Sequence, residues 1–259
     1  MAYKLPLAAE GTDFNAYAVS SDQVATFPGQ TRRDASLTRT IEASTILSDH
    51  SVDQATFTVP ATPTFEACAS AFARGTLIST VMGPVAVEDL IPGDLVETHR
   101  GPDPIVWIGS TSYLPNVTSE TTSLTYLLRL PGDGVEQNDL LLGPAARLVI
   151  RQDRFADILN CDAVLAPASD YVDGDRILQI TPPGAVQLYH FALRRHGIVR
   201  ANGHELESYH PGRVTEAELG TSVRNMLRSM FSHLTELEGF GDLAFPRTSR
   251  DVIDTLRVA

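Results

Sequence analysis

Between Phe72 and Tyr209 the chain is cut into short apolar pieces by recurring Gly, Pro and Asp. The pieces are Thr76 to Val81, Val85 to Val87, Leu95 to Thr98, Ile105 to Ile108, Leu124 to Leu130, Leu148 to Ile150 and Ile177 to Ile180. Between them stand Met82-Gly83-Pro84, Pro92-Gly93-Asp94, Gly101-Pro102, Pro131-Gly132-Asp133-Gly134 and Asp173-Gly174-Asp175. Pieces this short cannot complete long helices, and their β-branched content suits pleated, half-buried strands. The expected body is therefore mainly β.

The flanks read differently. Residues 1–66 are rich in Thr, Ser, Asp and Ala, and Phe57-Thr58-Val59 is a short strand-like piece stopped by Pro60. This region reads as a leader or a small β extension, with edge strands packing on the body. Residues 213–259 read as a helical extension. Thr215 and Glu218 form a capping box. Leu219, Val223, Met226, Leu227, Met230, Phe231, Leu234 and Leu237 then recur on one helix face, with Gly239 placed to end it. That stripe is expected to pack on the β body. A second helix is expected from Arg250 to Leu256, capped by Ser249.

Composition narrows the function. Of the 259 residues, 43% are hydrophobic, enough for a packed core. A net charge of -12 argues against a phosphate-binding surface, so nucleic acid is not an expected partner. Cys68 and Cys161 form no CxxC pair, which argues against a zinc knuckle or a disulfide framework. No apolar run approaches the length of a membrane span or a signal-peptide core. The expected location is cytoplasmic, or outside the cell without a classical signal peptide.

Two polar runs invite a metal reading. His204, Glu205, Glu207 and His210 are dense in ligand types, and Asp170, Asp173 and Asp175 flank Gly174. The second lacks the EF-hand ladder and reads as a turn. No metal and no cofactor is expected.

The most specific pattern is Ala71-Phe-Ala-Arg-Gly-Thr-Leu-Ile78, followed by Gly83-Pro-Val-Ala-Val-Glu-Asp-Leu-Ile-Pro-Gly-Asp-Leu-Val96. Gly75 turns the chain after the junction and Pro92-Gly93-Asp94 turns it again before Val96 re-enters the core. Further on stand Asp139-Leu-Leu-Leu-Gly-Pro-Ala-Ala-Arg-Leu-Val149, then Val186-Gln-Leu-Tyr-His-Phe-Ala-Leu193, His196, and Ile198-Val-Arg-Ala-Asn-Gly203. Together these resemble the opening, central and closing blocks of the Hint (hedgehog and intein) family over residues 67–212. The Glu207-Ser-Tyr-His-Pro-Gly212 close looks most like bacterial Hint proteins that are not ordinary inteins.

That resemblance implies a horseshoe-like β fold with pseudo-two-fold symmetry. It also implies self-cleavage by an N-to-S or N-to-O acyl shift, in which a Cys or Ser attacks the preceding carbonyl. A central Thr or Ser and a His three residues later would serve the proton transfers. Here Ala71 holds the nucleophile position, Gly143 the hydroxyl position and Ala146 the His position. Glu207-Ser208 stands where a splicing intein has its cyclising His-Asn pair. His190 and His196 are the polar residues left from the family pattern, while Cys68 and Ser70 are alternative nucleophiles near the junction. The reading is a degenerate Hint protein that has lost self-cleavage and serves as a structural or peptide-binding module. Its cleft would hold its own N-terminal segment or another protein. The alternatives are an autoprocessing protein using Cys68 or Ser70, a trapped precursor with Ala71 in place of cysteine, and, last, an ordinary β hydrolase.

Overall fold

A computed structural model of the chain describes residues 37–117, 119–132, 138–212 and 219–258. The strands are β1 Thr38–Ile46, β2 Val52–Pro60, β3 Phe72–Ala73, β4 Leu77–Thr80, β5 Gly83–Ala86, β6 Leu95–Thr98, β7 Gly101–Tyr113 and β8 Leu127–Leu130. They continue as β9 Leu140–Leu142, β10 Arg147–Arg151, β11 Ala163–Pro167, β12 Leu178–Ile180, β13 Val186–Leu193, β14 Ile198–Ala201 and β15 His204–Glu207. The chain is mainly β, as the punctuation of its sequence predicts.

The sheet runs β11-β10-β15-β14-β4-β6-β7-β13-β3-β9-β8-β12, with β1 added on β7 and β5 on β4. The long strand β7 joins its two halves. Its first residues pair with β6, from Leu95↔Pro104 to Thr98↔Gly101. Its later residues pair with β13, with a register shift between Ala192 and Leu193.

The turns expected from the opening block form. Gly75 and Gly93 have φ of 86° and 104°, a region that side chains with a Cβ rarely adopt. Asp94 Oδ2 accepts from the Ile91 N–H at 2.9 Å and so braces the second turn. Asn202 and Gly203, both at positive φ, make the two-residue hairpin between β14 and β15. The Asn202 side chain then accepts from the Leu77 N–H at 2.8 Å, tying the closing block to the opening one.

Some boundaries differ. Val87 ends no strand but opens a 3-10 turn, Val87–Asp89, because its N–H is taken by the Thr76 carbonyl at 2.8 Å. Leu124 is buried in a loop ahead of β8.

The segment before the junction holds a complete hairpin. Strands β1 and β2 pair along nine residues each, and β1 continues onto β7 from Glu42↔Ser110 to Thr45↔Trp107. A buried ion pair, Arg39 Nε to Glu66 Oε1 at 2.8 Å, fixes its base, and the N–H and hydroxyl of Ser123 donate to Glu66 Oε2.

The C-terminal stripe packs inward but not as one helix. The capping-box residues Thr215 and Glu218 lie outside the described residues. A helix spans Thr221–Ser229 and stops where the Trp107 indole donates to the Met230 carbonyl at 2.7 Å. That carbonyl belongs to the helix end, so the indole acts as a tertiary cap. Phe231 then stacks on Tyr209 at 5.4 Å, and Leu227, Met230, Leu237 and Phe240 join Ile41, Val59, Phe65 and Trp107 in one buried cluster. Gly239 ends no helix. It sits inside the 3-10 turn Leu237–Phe240, where a Cβ would come within 2.9 Å of Leu234. The last helix spans Arg250–Val258, and the Ser249 carbonyl accepts the Ile253 N–H at 3.2 Å.

Candidate functional site

The junction residues sit at the entrance to β3, between β13 and the loop after β9. The Ala71 N–H donates to the Tyr189 carbonyl at 3.0 Å, and the Ala71 carbonyl accepts from the Gly143 N–H at 2.9 Å. The Ser70 carbonyl accepts from the Ala145 N–H at 3.3 Å. The fold thus brings Ala71 and Gly143 together around the Ser70–Ala71 peptide. Its recorded partners there are all backbone groups.

Gly143 explains the closeness. A Cβ at this position would stand 2.1 Å from the Ser70 carbonyl oxygen and 2.9 Å from its carbon. Real Cβ contacts do not fall below 3.0 Å. The central block therefore closes on the junction only because no side chain stands at 143. Ala146 lies further off, 2% exposed among core side chains, with its carbonyl accepting from Ala168.

Neither alternative nucleophile is activated. The Cys68 thiol is fully buried, 3.2 Å from the Tyr209 hydroxyl, and burial pushes its pKa up to about 12. A thiol in that state is no nucleophile near neutral pH. Ser70 Oγ is also fully buried and has no hydrogen-bond partner among the described residues.

His190 on β13 faces Ala67. Its Nδ1 lies 2.9 Å from the Ala67 carbonyl, an acceptor, so the neutral ring carries its proton there. Nε2 is then a lone pair, and it has no hydrogen-bond partner among the described residues. Burial lowers the pKa to about 4 despite the pull of the Ala67 carbonyl, so the ring is neutral near pH 7.

His196 belongs to a second cluster. Its Nδ1 accepts the Ala244 N–H at 2.8 Å, so Nε2 carries the proton and points to Glu207 Oε1 at 3.0 Å. Arg247 reaches the same oxygen at 2.8 Å, and Arg147 reaches Oε2 at 3.3 Å. Burial raises the Glu207 pKa, but the His196 hydrogen bond and the Arg247 charge outweigh it and hold the carboxyl below its ordinary value. Arg247 also donates to the His210 carbonyl at 2.7 Å. His210 holds Gly241 through Nε2 and accepts the Gly212 N–H at Nδ1, so both its nitrogens are engaged.

The metal readings have ordinary outcomes. His204 bonds the Pro131 carbonyl, and Glu205 pairs with Arg151. Asp173 Oδ1 accepts the N–H groups of Asp175, Arg176 and Ile177, which is a turn. Among the described residues no group of three or more His, Cys, Asp or Glu is arranged to hold a metal ion. Both cysteines are free.

A pocket of about 370 Å³ lies between the two clusters, lined by Ala67, Ala145, Arg147, His190, Glu207 and Arg247 among others. The two arginines escaped sequence reasoning. Arg147 reads as one residue of a strand, and Arg247 sits in a tail without periodicity. Arg147 carries one signal, a positive residue in an otherwise apolar run, and Arg247, between Pro246 and the polar Thr248-Ser249-Arg250-Asp251, carries none.

The family model described as the Hint domain matches residues 70–213, more than half of the chain. The chain belongs to the Hint domain family. Among solved structures it is similar to the bacterial intein-like domain from Clostridium thermocellum, at 17% identity and a TM-score of 0.36, covering 54% of this chain and 99% of that one. It is also similar to a splice-inactive, GSH-linked variant of the AceL NrdHF class 3 split intein, at 11% identity and a TM-score of 0.34, covering 54% of this chain and 97% of that one. No curated protein matches. Among the described residues no helix is long and apolar enough to cross a membrane.

Proposed function

We propose that this Hint-fold chain does not cleave itself and serves as a structural and peptide- or protein-binding module. The observation that supports this is the junction itself. A methyl group stands at the nucleophile position, and the carbonyl that would be attacked lies 2.1 Å from where any side chain at 143 would begin. Acyl transfer needs a nucleophile and a base within hydrogen-bond reach of each other. At this peptide the neighbours are backbone amides, and the nearby thiol is held protonated by burial. The cleft that would have managed a bond is left as a pocket with charged walls.

The test is the denatured mass of the purified chain after incubation with dithiothreitol or hydroxylamine. One species at the full 28.1 kDa is expected. Two fragments divided between Ser70 and Ala71 would overturn the proposal. Ala71→Cys addresses the trapped-precursor alternative. Rapid cleavage on restoring the thiol would show a complete active site with one residue replaced, whereas the geometry at Gly143 predicts none.

A further inference from the structure

The pocket between β13, the loop after β9 and the tail is charged in an unusual sense for this chain. The whole molecule carries a net charge of -12. Yet the described residues put two guanidiniums, Arg147 and Arg247, against one carboxylate, Glu207. Arg247 is committed to Glu207 and the His210 carbonyl. Arg147 touches Glu207 through Nε at 3.3 Å, which leaves the two terminal nitrogens of its fork without a recorded hydrogen bond among the described residues. Asp170, whose charge Arg147 also feels, is occupied by the Arg250 N–H at 3.2 Å.

His190, only 5% exposed, lines the same pocket, and its Nε2 has no hydrogen-bond partner among the described residues. A buried acceptor without a donor is a standing cost that a ligand N–H would remove. Pro144, Leu219 and Leu227 supply apolar wall. A volume of about 370 Å³ is at the small end of ligand pockets, with room for a terminal residue and none for a folded element.

We infer that this pocket captures the carboxy terminus of a peptide. The terminal carboxylate would lie on the free fork of Arg147, and the last amide N–H would donate to His190 Nε2. A planar fork binds carboxylate through two parallel hydrogen bonds, which a neutral amide cannot accept in the same way. Capture of a chain end in this manner is a known mode of peptide recognition. The inference rests on the proposed reading of a cleft released from self-cleavage and gives that cleft a ligand class.

The experiment is a calorimetric or NMR titration of the full chain with three probes: N-acetyl-alanine, N-acetyl-alaninamide and lactate. Saturable binding of N-acetyl-alanine is expected, at least about tenfold tighter than the amide and than lactate. Arg147→Gln should weaken the acid by about tenfold and leave the weak amide signal unchanged. Equal binding of acid and amide, or no saturable binding of the acid, overturns the inference. Lactate binding as tightly as the peptide acid also overturns it, since the pocket would then take a small free acid. If Arg147→Gln fails to fold, the acid and amide comparison on the unchanged protein still decides. The denatured mass of the same samples separates the two proposals. A cut chain overturns the reading of lost cleavage, and an uncut chain that ignores the acid overturns this one alone.

Discussion

The two ends of the cleft are held in opposite ways. At the Ser70–Ala71 junction the backbone amides of Gly143 and Ala145 hold the peptide. At the Glu207 end polar side chains stand together and, the terminal nitrogens of Arg147 apart, are engaged with one another and with the C-terminal tail. His196 holds Ala244, Arg247 holds Glu207, and the Leu165 N–H takes the Pro246 carbonyl at 2.8 Å. One end is thus held by a side-chain network and the other by backbone contacts alone.

The largest expected effect lies at the polar end. Arg247→Ala would leave Glu207 buried with its strongest charge partner gone, and should cost about 3–5 kcal/mol in urea unfolding. A loss below about 1 kcal/mol would mean that the network is decoration and the contrast false. At the stripped end, Gly143→Thr restores the hydroxyl that the family pattern calls for, yet its Cβ collides with backbone. It should destabilise by about 1–3 kcal/mol or more and produce no cleavage, even combined with Ala71→Cys. Wild-type stability in that variant would show that the closure over the junction is wrong.

Protonation probes both ends at once. His190 at the junction, His210 at the polar end and His233, beside Phe231 and Phe240 in the tail, are each held at a pKa of about 4 by burial, against 6.5 for a free ring. The unfolded chain therefore binds protons that the folded chain refuses. Stability is full above about pH 6.5 and falls as pH drops toward 4, by up to about 1.4 kcal/mol per pH unit for each such ring. The urea midpoint should follow that slope, and His190→Gln should flatten it by one ring's share. A midpoint flat through this range would remove the buried neutral imidazoles from both regions. The smallest effect is an absence: Cys68 should ignore a thiol reagent in the folded protein, while the partly buried Cys161 reacts. Labelling of Cys68 before unfolding would reopen the junction as a nucleophilic site.

Much of this was legible in the sequence because turns are written locally. Gly75, Pro92-Gly93-Asp94 and Asn202-Gly203 each set a backbone bend within a few residues, and the opening and closing blocks follow from them. The hairpin of β1 and β2 was not legible beyond its final strand-like piece. The inward residues of β1 are Arg39, Ile41, Ala43 and Thr45, so its buried face carries one large apolar side chain. The stripe from Leu219 to Leu237 was legible as buried and illegible as broken, because the Trp107 indole that stops the helix comes from a strand more than a hundred residues away. Gly143 reads in the sequence as a lost hydroxyl. Only the fold shows that it is also a space requirement.

The pairing of β1 with the middle of β7 has a consequence for any cut at the junction. Severing one peptide bond removes none of the hydrogen bonds of that seam, which join β1 upstream of the break to β7 downstream of it, nor those that Ser123 donates across the break to Glu66. The upstream piece would also keep Ile41, Val59 and Phe65 in a cluster completed by residues downstream. Scission here would yield a nicked particle whose halves stay associated, and no freed leader. Parting the two pieces would require this seam and this cluster to come apart as well as the bond to break.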